Sequence, residues 1–259
     1  MGLYLLAASI TTGRQDRTHG QDAGALLSLP TGLGLAALAF HALALVPMTL
    51  TGDGINVSVF NTASVVAWIV VVLMFAASLF FPLLSMSVVL LPLAAITLGL
   101  AMLFPSMRIL PAELPVGLQL HVVLAVLAYS LFAIALLQAL FFAVAERKLR
   151  AHHPIMHVLP PLMTMEAIMF QVTWLAFALL TISLVIGVPF VTDMMAQHLT
   201  HKVVFSAMAW GVFATLLWGR WRYGWRGRLA VRFVIIGSIC LGIGFFGSKI
   251  VLELVLHRV

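Results

Sequence analysis

Long apolar stretches separated by short polar connections make up most of this chain. No charged residue lies between Asp53 and Arg108, and further uncharged stretches follow Glu113, Glu166 and Lys202. A helix needs about 20 apolar residues to cross a hydrocarbon core about 30 Å thick, so the first of these stretches is long enough for two crossings. The predicted helices are 1–12, 28–50, 60–80, 84–104, 118–145, 164–190, 201–219 and 229–256.

This pattern predicts an all-α protein, a polytopic transmembrane helix bundle of about eight spans that forms a single domain over residues 1–259. The apolar runs do not alternate apolar and polar residues, as the strands of a membrane barrel would. The first run has too few apolar residues to cross a membrane unaided. We therefore expect the first span to be short or truncated and to contribute little to the bundle.

Composition excludes several classes of protein. Of the 259 residues, 63% are hydrophobic and 8% are charged, whereas a water-soluble globular domain has about 25% charged residues. Cys240 is the single cysteine and lies inside an apolar run, which excludes disulfides within the chain and thiolate metal sites. The net charge of +6 would suit a nucleic-acid partner, but the basic residues flank the spans, so we expect no nucleic acid to bind.

The basic residues predict how the spans are oriented. Ten of the 14 Lys and Arg residues lie in three alternate connections: Arg14 and Arg17; Arg147, Lys148 and Arg150; Arg220, Arg222, Arg226, Arg228 and Arg232. Because basic connections stay in the cytoplasm, we predict a multi-pass protein of the bacterial inner (cytoplasmic) membrane with both termini outside. The connections 51–59, 105–117 and 191–200 are then outside as well.

Histidines supply the candidate chemistry. Five of the nine lie in spans or at the predicted outer rim: His41, His121, His198, His201 and His257. Neutral imidazole is among the few side chains that ligate haem iron, and two imidazoles from facing helices can hold the flat macrocycle between them. We therefore predict His121 and His201 as metal ligands, with His198 and His41 as further cofactor-binding residues. His257 is expected to be incidental.

A structural alternative stands beside each candidate. His121 can be an interfacial histidine bonded to a neighbouring loop, and His41, buried in the middle of a span, can hold a structural hydrogen bond. Lys202 follows His201 at a predicted helix N-terminus, where a cation and backbone N–H groups would attract an anion such as a haem propionate. The alternative for Lys202 is a lysine that extends to the membrane interface.

Four segments have an order and spacing typical of one family: GINVSVFNTASVVAWIV from Gly54, LHVVLAVLAYSLFAIA from Leu120, LPPLMTMEAIMF from Leu159 and HKVVFSAMAWGVFATLLWGRWRYGWRG from His201. Together they resemble the integral-membrane cytochrome c assembly family of the CcsA and HemX type, most closely its YpjD-like branch. The resemblance covers most of the chain.

The resemblance implies that the protein handles haem. It places His121 at the position of an outer axial ligand, and Lys202 and Trp210 at a lysine and a tryptophan of the family's tryptophan-rich segment. The chain departs from that segment, because residues 191–200 contain no tryptophan and His201 stands where the family has proline. We therefore expect a protein that binds or handles haem in cytochrome c biogenesis, and not an enzyme that attaches it.

Two other functions stay open. One is a component of a membrane transporter, although charged residues inside the spans are scarce and no internal repeat is evident. The other is a regulatory membrane partner without haem, for which the basic connection 220–232 would dock a membrane or cytoplasmic protein. Anionic membrane lipid would explain the same basic connection. The sequence alone does not decide between these interpretations.

Overall fold

Helices contain most of the residues that the computed structural model describes, which are 1–15, 29–111, 113–150, 161–190 and 200–247. They are α1 (Gly2–Gln15), α2 (Leu29–Thr49), α3 (Val59–Ala77), α4 (Ser87–Leu103), α5 (Val116–Arg150), α6 (Leu162–Gly187), α7 (Thr200–Tyr223) and α8 (Gly227–Gly242). Short 3-10 turns, Leu84–Met86 and Val188–Phe190, precede α4 and follow α6, and a π turn, Ile243–Gly247, follows α8. With these turns included, the seven helices from α2 onwards are long and apolar enough to cross a membrane. The predicted all-α polytopic bundle with a short first helix is confirmed.

The chain forms two compact units. The first consists of Met1–Ala112 with Arg147–Pro160, and the second of Glu113–Glu146 with Pro161–Val259. One domain over residues 1–259 stays a prediction.

In the first unit, α1 packs against α2 and α4. Tyr4 and Ala7 are buried there, with exposed fractions of 1% and 0%. At the same contact the Met1 side chain covers Gly99 of α4, a position without a side chain. The expectation that the first helix contributes little is therefore wrong. A helix too short to cross the membrane still buries one face, and the loss of that face would expose the side chains beneath it.

A small antiparallel sheet joins two connections of the first unit. Its strands are β1 (Leu50–Thr51), β2 (Gly54–Asn56) and β3 (Ile109–Pro111), in the order β1-β2-β3. The buried side chain of Asn56 fixes the junction: Oδ1 accepts from the backbone N–H groups of Ser58 and Arg108, and Nδ2 donates to the carbonyl oxygens of Met48 and Ser106. The connections after α2 and α4 thus lie on the same side of this unit, as the alternation of spans requires.

In the second unit, α7 and α8 form a tight hairpin. Gly224 and Gly227 turn the chain with φ of +67° and +57°, values that residues with a side chain rarely adopt. Along the hairpin, a Cβ at Gly237 would lie 2.6 Å from the ring of Phe213. Small residues at such positions let the two helices approach closely.

Ion pairs join the helix ends beside this hairpin turn. Glu146, near the end of α5, accepts from Arg228 Nε at 3.1 Å. Glu166, the fifth residue of α6, accepts from Arg220 at 3.5 Å and from the backbone N–H of Gly227 at 3.2 Å. One end of the second unit is therefore held together by two carboxylates and two of the five arginines in the connection 220–232.

Candidate functional site

His121 lies on α5, five residues after the helix begins at Val116, and is half-buried against α6. Its Nδ1 lies 2.7 Å from the backbone carbonyl oxygen of Ser183. Because a carbonyl oxygen only accepts hydrogen bonds, Nδ1 carries the proton of the neutral ring and donates it to Ser183. Nε2 then carries the lone pair, and Nε2 is the nitrogen available to a metal.

Two residues of α6 hold the imidazole in this orientation. Ser183 Oγ donates to the backbone carbonyl oxygen of His121 at 3.0 Å. Gly187 lies one turn further along α6, and a Cβ there would lie 2.8 Å from both Cε1 and Nδ1 of the ring. The ring therefore fits in its place because residue 187 is glycine. Within the part of the chain that the structure describes, Nε2 of His121 forms no hydrogen bond.

Lys202 lies at the same depth in the second unit as His121. Successive spans alternate in direction, so α5 and α7 run the same way, and the rings of Phe132 and Phe213 stack between them at 3.9 Å. His121 and Lys202 each precede these phenylalanines by eleven residues, or about 16 Å at 1.5 Å per residue. A group bound at His121 and a group bound at Lys202 would thus lie at the same depth along the helix axes.

The other predicted residues at this end have no described side chain. His201 is the second residue of α7, but its side chain is outside the described part of the structure. His198 and His257 lie outside the described residues. A second axial ligand from these histidines stays a prediction.

His41 lies in the first unit and uses both ring nitrogens. Nδ1 is 3.0 Å from the hydroxyl of Tyr4, Nε2 is 2.9 Å from Oγ of Ser64, and the residue is 1% exposed. His41 and Tyr4 line a largely apolar cavity of about 180 Å³ between α1, α2 and α4. This geometry favours the structural hydrogen bond that the sequence left open for His41.

The described residues do not form a site for a bare metal ion. Across the described ranges, no three His, Cys, Asp or Glu side chains come together. A structural zinc site needs four such ligands and a catalytic one needs three, but haem iron already has four ring nitrogens and takes one or two ligands from the protein.

Sequence reasoning missed Ser183 and Gly187. They are four residues apart and therefore share one face of α6. That spacing could have been seen in the sequence. However, a glycine two residues before Pro189 is equally typical of a helix end. Trp210, which the resemblance places at a tryptophan of the family's segment, also contacts α6. Its Nε1 donates to Thr181 at 3.0 Å. Thr181 and Ser183 are two residues apart, so Trp210 and His121 contact nearly opposite faces of α6.

In a comparison with known protein families, residues 31–256 match a family described as "Cytochrome C assembly protein". The matched range extends from α2 through α8 and includes His41, His121 and Lys202.

Comparison with individual proteins gives relatives of similar length. The chain is 33% identical over 256 residues to the inner membrane protein YpjD of Escherichia coli strain K12, which covers 96% of this chain and 94% of that protein. The YpjD of Escherichia coli O157:H7 matches equally well. The "Uncharacterized 28.8 kDa protein in nifR3-like 5'region" of Azospirillum brasilense is 28% identical over 145 residues, 54% of each chain. No solved structure matches this chain.

Proposed function

The chain belongs to the cytochrome c assembly protein family, and on that premise we propose that it binds haem in its second unit with His121 as an axial ligand. It is a multi-pass membrane protein of the inner membrane, as its seven long spans and its likeness to YpjD indicate. In this proposal it holds or transfers haem without catalysing the attachment of haem to cytochrome c.

One observation carries the proposal: the Nδ1–H group of His121 donates to the Ser183 carbonyl oxygen. Metal-ligating histidines usually donate their second ring N–H to a carbonyl or carboxylate, which fixes the tautomer and makes the ligating nitrogen more basic. The same bond leaves Nε2 of His121 with a free lone pair before any ligand arrives. Bound haem would supply the iron to which this nitrogen binds.

Lys202 suits the propionate end of the same ligand. Lys202 lies at the depth of His121 and at the start of α7, where its ammonium group would be near a propionate carboxylate of the bound haem. A charge-assisted hydrogen bond of this kind is about twice as strong as a neutral one. For the second axial ligand we propose His201, then His198. His41 is not proposed, because both of its ring nitrogens are hydrogen-bonded within the first unit.

The site lies at the end of the second unit that the basic connections predict to be outside. That placement suits haem that is delivered or received at the outer surface. The absence of tryptophan from residues 191–200 supports a role in holding haem and argues against its ligation to cytochrome c.

An absorption spectrum of the purified protein, produced in cells supplied with haem precursor, tests the proposal. The wild-type protein should show a stoichiometric Soret band. His121→Ala should lose or shift that band while it is expressed and inserted as the wild type is. His152→Ala, a histidine in the connection predicted to lie on the opposite side, should leave the spectrum unchanged.

A wild-type protein without a Soret band, or a His121→Ala protein with an unshifted one, would contradict the assignment. The interpretations without haem, a transporter component or a regulatory partner, would then take its place.

A further inference from the structure

Four of the five arginines of the connection 220–232 fall into two groups, and the fifth, Arg232, lies inside α8. Arg220 and Arg228 are held by Glu166 and Glu146. Arg222 and Arg226 are exposed and form no ion pair with a carboxylate in the portion of the chain that the structure describes. The bridged arginines join helices, whereas the unbridged pair faces outward with its charge uncompensated.

Internal contacts keep the turn that carries this unbridged pair in one conformation. The backbone N–H of Trp225 donates to the Gly219 carbonyl oxygen, and the Trp225 ring covers Gly219, where a Cβ would lie 2.2 Å from it. Arg220 donates to the Trp225 carbonyl oxygen at 3.1 Å and lies 4.4 Å from the centre of the Phe170 ring. Because Arg220 and Trp225 are held by these contacts, the turn holds the outward-facing Arg222 and Arg226 on a rigid surface.

Exposed aromatic rings flank the unbridged pair. Trp218, Trp221 and Tyr223 are 59%, 73% and 68% exposed. The guanidinium carbon of Arg222 lies 5.7 Å from the centre of the Tyr223 ring. Tryptophan and tyrosine are enriched at the level of the lipid headgroups, where one end of the ring is apolar and the other is wet.

The length of α7 puts these residues at that level. Its 24 residues extend about 36 Å at 1.5 Å per residue, which exceeds a hydrocarbon core of about 30 Å. The helix is thus long enough for its basic, aromatic end, residues 221–226, to extend into the interfacial layer. A phosphate there would meet the guanidinium groups while the rings contact the glycerol and upper acyl region.

We propose that the α7–α8 turn is a binding surface for anionic phospholipid headgroups, formed by Arg222 and Arg226 with Trp221 and Tyr223. This inference does not rest on the proposed haem site. Guanidinium groups bind phosphate through two parallel hydrogen bonds, and a lipid satisfies both the charges and the exposed rings at once. A soluble acidic protein would satisfy the charges but leave the rings to be covered separately.

Native mass spectrometry of the full-length protein in detergent tests the surface, with phosphatidylglycerol and phosphatidylcholine of identical acyl chains as probes. The wild type should retain phosphatidylglycerol in preference to phosphatidylcholine. The double variant Arg222→Gln and Arg226→Gln should weaken phosphatidylglycerol binding about thirtyfold, because each arginine near an anionic surface contributes about 1 kcal/mol and 1.4 kcal/mol is a factor of ten. Phosphatidylcholine binding should not change.

Two matched variants separate this effect from damage to the fold. Glu146→Gln combined with Arg228→Gln removes a bridged arginine at no change in net charge, and it should keep the lipid preference. Arg222→Lys combined with Arg226→Lys keeps the charge and should retain most of the binding. Equal retention of the two lipids by the wild type, or an unchanged preference in the Gln double variant, would overturn the proposal and leave the surface to an acidic protein partner.

Discussion

At the residue scale, the role of His121 depends on its two neighbours on α6 in different ways. The backbone carbonyl oxygen of Ser183 accepts from the imidazole, and its hydroxyl contacts both the backbone carbonyl oxygen and Nδ1 of His121. Gly187 contributes the space that the ring occupies. Substitutions at these two positions therefore have different consequences for the ligating nitrogen.

Gly187→Ala should displace the imidazole, because the new methyl group would lie 2.8 Å from the ring. We expect a loss of about 1–3 kcal/mol of stability from overpacking and a shifted or absent Soret band. Ser183→Ala is the control, since it keeps the carbonyl acceptor of Nδ1. It loses the hydroxyl contacts with the His121 carbonyl oxygen and, at 3.1 Å, with Nδ1, each of which contributes about 1 kcal/mol. Its Soret band should be that of the wild type. If monodisperse Gly187→Ala protein had the wild-type spectrum, haem binding would not depend on the position of the His121 ring.

At the element scale, α1 acts through a single polar contact as well as through its apolar face. The hydroxyl of Tyr4 is the partner of His41 Nδ1, and the other nitrogen of His41 bonds to Ser64 on α3. Three helices are thus joined by one buried chain of polar groups. The sequence could not predict this contact, because the shortness of an apolar run says nothing about which of its residues meet a distant histidine.

Tyr4→Phe should destabilise the first unit by about 1–3 kcal/mol, because the variant leaves a buried ring nitrogen without its partner. Ser9→Ala is the matched control on the same helix. Its exposed hydroxyl bonds only to the carbonyl oxygen of Leu6, so the change should stay within about 0.5 kcal/mol. The unfolding midpoint in mixed detergent micelles measures both. Equal midpoints for Tyr4→Phe and the wild type would mean that the polar chain does not stabilise the packing of α1.

At the scale of the whole molecule, the spans were predictable because the thickness of the bilayer sets their length. The prediction 28–50 corresponds to Leu29–Thr49, and 60–80 corresponds to Val59–Ala77. Helix α5 is longer than predicted because Glu146–Arg150, read as a polar connection, consists of good helix formers. The sheet was missed because it depends on backbone pairing between connections far apart in sequence, with Asn56 bonded to Arg108.

The candidate site was only partly predictable. His121 could be singled out from the sequence by residue type, depth and family resemblance. Its tautomer could not, because that depends on Ser183, which is 62 residues away along the chain. The pairing of Arg220 and Arg228 with carboxylates was equally hidden, since charge counts do not separate bridged from unbridged arginines.

The orientation of the whole molecule is tested by single cysteines placed in a Cys240→Ala background. Cysteines at Lys148 and Arg226 should be protected from a membrane-impermeant thiol reagent in intact cells, because basic connections stay in the cytoplasm. A cysteine at Met107, which is 68% exposed in the connection joined to the sheet, should react. Labelling at 148 or 226 but not at 107 would reverse the orientation.

Chemical rescue of His121→Gly tests the central claim most directly, because it separates the ligand from the fold around it. The glycine variant, purified in the presence of haem, should have a weakened or shifted Soret band. Added imidazole should enter the space left by the side chain and restore the wild-type spectrum. His152→Gly should respond to neither the substitution nor the imidazole. A His121→Gly protein whose Soret band equals that of the wild type before imidazole is added would contradict the assignment of His121 as an axial ligand.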